Sequence, residues 1–123
     1  MLVNLTNHPY SEWGEQQREA ARCYGECVDI PFPMVPPDAN AREVELLADS
    51  YFDRIMQLGS PEVITVHIMG EQTFCYALIS KLLRAGVACV ASCTARDVTV
   101  MEDGSKQVRF HFSRFRPYVA MQA

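Results

Sequence analysis

Three short segments hold most of the side chains with chemical potential: Thr6-Asn7-His8-Pro9, Met69-Gly70-Glu71-Gln72-Thr73 and Ser92-Cys93-Thr94-Ala95-Arg96. Each directly follows an apolar run, and each is small, polar or charged where that run is not. His8, beside a proline, is suited to proton transfer or to donating to a phosphate. Arg96 is a candidate phosphate clamp. Gly70 lets the backbone turn close to a ligand. Thr73, with the N–H groups that open the following helix, is suited to holding a phosphate. Glu71 is placed to bind a ribose hydroxyl or to act as a base. Thr6, Asn7, Ser92 and Thr94 add polar contacts. Five of these residues also fit a plain structural role: Gly70 and Thr73 as turn and cap, Glu71 as partner of a helix N-terminus, Arg96 as a solvated loop residue and His8 as a loop histidine bonded to nearby backbone.

Several chemistries are disfavoured. The chain has no Gly-x-Gly-x-x-Gly and no Gly-Lys-Ser/Thr loop, so no dinucleotide or triphosphate cofactor is expected. It has no Gly-x-Ser-x-Gly elbow. Cys93 and His8 form a nucleophile–base pair only if the fold brings them together. The five cysteines, Cys23, Cys27, Cys75, Cys89 and Cys93, form no Cys-x-x-Cys pair, and no partner set completes a metal site. Cys75 and Cys89 lie in apolar runs and read as buried, reduced thiols. His67 and His111 lie within strand-like runs and read as structural.

The elements that position these segments alternate. Residues 1–5 read as a strand, and Ser11 can cap a helix from about Glu12 to Tyr24 that Gly25 ends. A short strand follows at 26–30. The run PFPMVPP is then a fixed extended loop. Asp38 or Asn40 caps a helix over about 40–58, in which Val44, Leu47, Ala48, Tyr51, Phe52, Ile55, Met56 and Leu58 keep the helical period. EVITVHI (62–68) is a buried strand, 72–84 a helix, and VACVAS (87–92) another buried strand. CTARD reads as a polar turn, and VTVM with QVRFHFSRF as a β-hairpin through Asp103-Gly104. The expected fold class is therefore α/β: one domain over 1–123, a mainly parallel sheet of order about 2-1-3-4 flanked by helices, with a C-terminal hairpin at one edge. In such sheets ligands bind beyond the carboxyl ends of the strands, where strand order reverses. That places the first two segments at the site and the third beside it.

The length of 123 residues suits a single domain with a real core. Hydrophobic residues at 49% and charged residues at 21% are ordinary for a globular chain. No run of about 18 apolar residues suggests a membrane span, and the first residues do not resemble a signal peptide, so a cytoplasmic location is expected. A net charge of −4 argues against sequence-blind binding of duplex DNA. The charge is uneven: residues 1–62 carry four basic and eleven acidic side chains, residues 63–123 seven basic and four acidic. The basic half can face a small anion.

VNLTNHPYSEW, HIMGEQTF and ASCTARDV together resemble a family of compact proteins encoded beside type III CRISPR systems. These are similar to the CRISPR-associated Rossmann-fold (CARF) domains and stand-alone ring nucleases. The resemblance implies a Rossmann-like homodimer that binds cyclic oligoadenylate at its strand ends. In the ring nucleases it implies metal-free cleavage by attack of a ribose 2′-hydroxyl on the neighbouring phosphodiester. It implies ligand contacts at Thr6, Asn7, Gly70, Thr73 and Thr94, and phosphate stabilisation or proton transfer by His8 and Arg96. Many CARF domains carry an effector nuclease on a longer chain; none follows here, which leaves a self-contained nuclease or a binding protein. Two other readings stay open: a small nucleotide- or nucleoside-processing enzyme, and a non-catalytic oligomeric subunit.

Overall fold

The computed structural model describes residues 1–121. Five strands form one sheet: β1 (Leu2–Leu5), β2 (Cys27–Asp29), β3 (Thr65–Ile68), β4 (Ala88–Val100) and β5 (Lys106–Pro117). Their order is β2-β1-β3-β4-β5. The first four are mutually parallel, and β5 returns antiparallel along β4. The reversal of strand order lies between β1 and β3, as the sequence predicts.

Three helices cover the two faces: α1 (Glu15–Ala21), α2 (Ala41–Met56) and α3 (Gln72–Arg84). The larger core lies under α2 and α3. Val3, Leu5, Val66 and Ile68 from the strands meet Val44, Ala48 and Ile55 of α2 and Phe74, Leu78 and Leu82 of α3. The opposite face is thinner, with Leu2, Trp13, Ala21 and Val90 packed together and Phe115 against them. A central parallel strand hydrogen-bonds on both edges and is buried on both faces, which is why these runs are nearly continuous in apolar residues.

Helix α2 begins at Asn40 with a reciprocal capping box. Asn40 Oδ1 accepts from the Glu43 N–H, and Glu43 Oε1 accepts from the Asn40 N–H. Helix α3 has the predicted bounds.

Three expectations are corrected. The strand expected over 62–68 begins only at Thr65, because Pro61–Val63 form a 3-10 turn. The helix expected over Glu12–Tyr24 is broken into a 3-10 turn (Tyr10–Glu12), α1 and a second 3-10 turn (Arg22–Tyr24). Trp13 and Gly14 between the first two are extended. The break turns the Trp13 indole inward, where its N–H donates to the His8 carbonyl at 3.0 Å. The polar turn expected at CTARD is absent. Cys93 to Asp97 continue β4, so its parallel part and the first hairpin strand are one element. Cross-strand pairing to β5 satisfies its backbone, with a bulge between Cys93 and Thr94. The hairpin turns at 101–105, with Gly104 at φ 86°.

Candidate functional site

A cleft of about 490 Å³ opens at the carboxyl ends of β1, β3 and β4. Thr6, Asn7 and His8 line it from β1, His67, Met69 and Gly70 from β3, and Ser92 and Thr94 from β4. Trp13, Gly14 and Gln17 close it from the α1 side. A second groove shares His8, Glu12, Gly14, Gln17, Ser92 and Thr94 with it and runs out along the hairpin to Phe110 and Phe112.

The loop after β1 is held by side chains bonded to the His8 main chain. The His8 carbonyl accepts from Asn4 Nδ2 at 2.9 Å, from Thr6 Oγ1 at 3.1 Å and from Trp13 Nε1 at 3.0 Å. The His8 N–H donates to Thr6 Oγ1. Thr6 is buried, so it builds the loop, while the Asn7 and His8 side chains stand exposed at the rim. Fixing the main chain leaves those two side chains presented without ordering cost to the loop.

Beneath the loop lies a polar row the sequence reading did not assign. Asp29, Asn4 and His67 are in register across β2, β1 and β3. Asn4 Nδ2 donates to Asp29 Oδ1 at 2.8 Å. Asn4 Oδ1 accepts from Thr6 Oγ1 at 3.0 Å and faces His67 Nδ1 at 3.0 Å. Asp29 also accepts the Tyr10 N–H, tying the next turn to the sheet. His67 is 2% exposed, and burial pulls its pKa down to about 4, so it is neutral at physiological pH. A sequence signal existed: Asn4 interrupts the apolar run MLVNL, and His67 stands inside the apolar end of EVITVHI. Trp13 was missed because its inward turn depends on the helix break.

The start of α3 behaves differently from the phosphate cradle expected there. The Glu71 carboxylate accepts from the Thr73 N–H at 3.0 Å, the Phe74 N–H at 2.8 Å and the Thr73 hydroxyl at 2.7 Å. These bonds hold Glu71 below the usual carboxylate range, the Phe74 N–H contributing most. The cap is thus already filled by an anion. Neither Glu71 nor Thr73 lines the cleft; Thr73 faces the groove between α2 and α3. Gly70 does line it, but packing alone demands glycine there. A Cβ would lie under 3.0 Å from three carbons of the Phe32 ring, which itself packs edge-on against Phe74.

Ser92 directs both its N–H and its hydroxyl at the Met69 sulfur, at 3.3 and 3.2 Å. A thioether is a weak acceptor, so this hydroxyl is readily recruited. Arg96 is exposed and lies outside both grooves, two residues beyond Thr94 on the same ribbon face. Cys93 does not line the cleft with His8. Burial raises the thiols of Cys75 and Cys89 to about 11 and about 12, as inert buried groups. Among the described residues no cluster of three metal-ligating side chains occurs, and no helix is long and apolar enough to cross a membrane.

Fold and cleft define a Rossmann-like α/β domain with a polar cleft at its switch point and a projecting antiparallel ribbon. The chain belongs to the family described as "Uncharacterized protein MJ1673 family", which it matches over residues 1–116. No curated protein matches it, and no solved structure does.

Proposed function

We propose that this protein binds a cyclic oligoadenylate at the cleft formed by the ends of β1, β3 and β4. The observation that carries the reading is the convergence of Thr6-Asn7-His8, Met69-Gly70 and Ser92-Thr94 at the point of strand reversal, where open α/β sheets hold ligands. The cleft supports one arrangement of such a ligand. Among the described residues no Lys or Arg lines its inner part, and Glu12 does. A ribose and base therefore suit the inner cleft, and phosphates suit the outer rim, toward His8 and Arg96. Phe110 on the adjoining groove is 67% exposed, a ready surface for stacking a second base.

On this reading the protein is also a ring nuclease. A 2′-hydroxyl attacks the neighbouring phosphorus without a metal: His8 takes the hydroxyl proton, the P–O5′ bond breaks, the departing 5′-oxygen is protonated, and a 2′,3′-cyclic phosphate and a 5′-hydroxyl result, with Arg96 stabilising the charge on the phosphoryl oxygens. A thermal-shift screen against cyclic and linear oligoadenylates, with AMP and ATP, tests it. A ring at about 100 times its Kd stabilises by about 2.7 kcal/mol, several degrees at this size. Chromatography of the mixture then shows cleavage. His8→Ala and Arg96→Ala weaken binding or turnover while changing stability by under about 0.5 kcal/mol. Shifts with AMP as large as with any ring point instead to a mononucleotide enzyme.

The ribbon favours a second copy as partner. Its face towards the groove carries Val98, Val100, Val108 and Phe110, all exposed. Arg96 and Lys106 flank that face, while the first half of the chain carries eleven acidic side chains against four basic. Reciprocal pairing of basic ribbon with acidic body suits a two-fold dimer.

A further inference from the structure

The cleft contains a buried acceptor with nothing to accept. His67 lines the cleft, is 2% exposed, and its Nε2 atom has no hydrogen-bond partner. Its tautomer follows from Asn4. Asn4 Nδ2 donates to the His8 carbonyl and to Asp29 Oδ1, which are acceptors only. Asn4 Oδ1 is therefore the atom at His67, and Nδ1 must carry the proton that bridges them. Nε2 is left as a bare lone pair. The Trp13 and Phe115 rings lie edge-on to the imidazole, with centroids 5.3 and 5.2 Å away, and shield it from bulk water.

We propose that His67 Nε2 is the point at which the cleft reads a ligand hydroxyl, making His67 a specificity-determining residue. The inference rests on the nucleotide reading above. In a ring of 3′–5′ linked adenylates the free ribose hydroxyl is the 2′ group, so that hydroxyl is the donor. A buried unpaired acceptor penalises any ligand that lacks the donor, and low local dielectric strengthens the bond when the donor is present. Neutrality suits recognition: an imidazole that stays unprotonated far below neutral pH always offers its lone pair, and is too weak a base to draw off the proton. Trp13 lines the cleft whereas Phe115 does not. A ligand reaching Nε2 therefore changes the surroundings of the indole, which packs against the imidazole, and Trp13 is the chain's one tryptophan.

The test measures binding of cyclic tetra-adenylate, cyclic hexa-adenylate and their all-2′-deoxy analogues to the full chain, by Trp13 fluorescence and calorimetry. The wild type prefers the ribose rings by about 10- to 100-fold, the range a lost buried hydrogen bond implies. His67→Phe keeps an aromatic ring and removes the acceptor, and abolishes that preference. A preference that survives in His67→Phe overturns the inference and leaves the nucleotide reading standing. Binding of neither ring overturns both. Nitrogen-15 NMR of the wild-type imidazole makes the test independent of the variant's folding. Nε2 resonates as an unprotonated nitrogen and moves with the ribose ring but not with the deoxy ring. An Nε2 that carries the proton in the free protein overturns the inference outright.

Discussion

Replacing Asn4 by alanine tests whether the polar row holds the cleft together. Asn4 is 1% exposed and uses both donors and both acceptor positions of its amide. The losses differ by partner. The Asp29 carboxylate is exposed and rehydrates. The His8 carbonyl keeps Thr6 and Trp13, and the Thr6 hydroxyl can turn wholly to that carbonyl. Each of those three bonds contributes about 0.5 kcal/mol at such partly compensated positions. The His67 Nδ1–H has no other partner and stays buried, which costs about 1–3 kcal/mol. The expected total is about 3 kcal/mol. At this chain length that lowers Tm by about 10 °C. Urea unfolding followed by circular dichroism gives the value directly. A loss under about 1 kcal/mol refutes the reasoning, and the His67 tautomer assignment falls with it. Asn4→Asp sharpens the test. It keeps the acceptors but sets a second carboxylate against Asp29, where the wild-type pair is 2.8 Å apart. The folded state then favours a bridging proton, so the aspartate's pKa in the fold lies above its unfolded value of about 3.9. The variant approaches wild-type stability as pH falls and is weakest at neutral pH.

Four further outcomes follow from the same structure. Burial pulls the His67 pKa down to about 4 in the fold against the ordinary 6.5 of an exposed imidazole, so the unfolded chain binds more protons between them; stability is full above pH 6.5 and falls by about 3 kcal/mol towards pH 4, and His67→Phe flattens that slope in pH-dependent unfolding. Gly70→Ala drives a methyl into the Phe32 ring and destabilises by about 1–3 kcal/mol; Phe32→Ala in the same chain makes the pair less than additive, and full additivity in urea melts contradicts the clash. Glu71→Ala removes the α3 cap at a cost of about 1 kcal/mol and leaves ring binding unchanged; a loss of binding shows that Glu71 acts beyond capping. Phe110→Asp puts a charge on the exposed ribbon face and converts a dimer to monomer in light scattering, whereas an unchanged mass excludes that face as the interface.

Much of the fold was readable because burial on both faces writes itself into parallel strands. EVITVHI and VACVAS have few alternatives as amphipathic helices, and the Gly-bounded run 72–84 kept its limits in the structure. Alternation gave the parallel sheet, and the order 2-1-3-4 assumed for it, on which the site's location rests, is the order observed. What was not readable was set by long-range partners. Nothing local in CTARD shows that β5 will pair with it and make it strand. Ser11 resembles a helix cap, yet the chain straightens at Trp13 because the indole finds the His8 carbonyl. In the site, His8, Asn7, Gly70, Ser92 and Thr94 came together at the cleft. Glu71 and Thr73 did not, since a carboxylate three residues before Phe74 caps a helix as readily as it meets a ligand. Asn4 and His67 escaped because a single polar residue in an apolar strand gains its meaning only from the strand beside it.

The continuous β4 has a further bearing, on how the chain stays dispersed. Beyond Val90 its outer edge no longer pairs with β3, and β5 is open along its own outer edge. The ribbon is thus a two-stranded tongue with both borders unpaired, the form most prone to recruiting stray strands. Lys106, Arg109, Arg114 and Arg116 are spaced along β5, a bulge breaks the ladder at its base and Pro117 ends it. Like charges on neighbouring tongues repel, and the bulge and proline spoil the register an added strand needs. At the far side β2 spans only Cys27–Asp29 before the prolines begin, too short to template a partner. The positive charge that gives the second half of the chain its sign therefore also guards the sheet against fibrous growth.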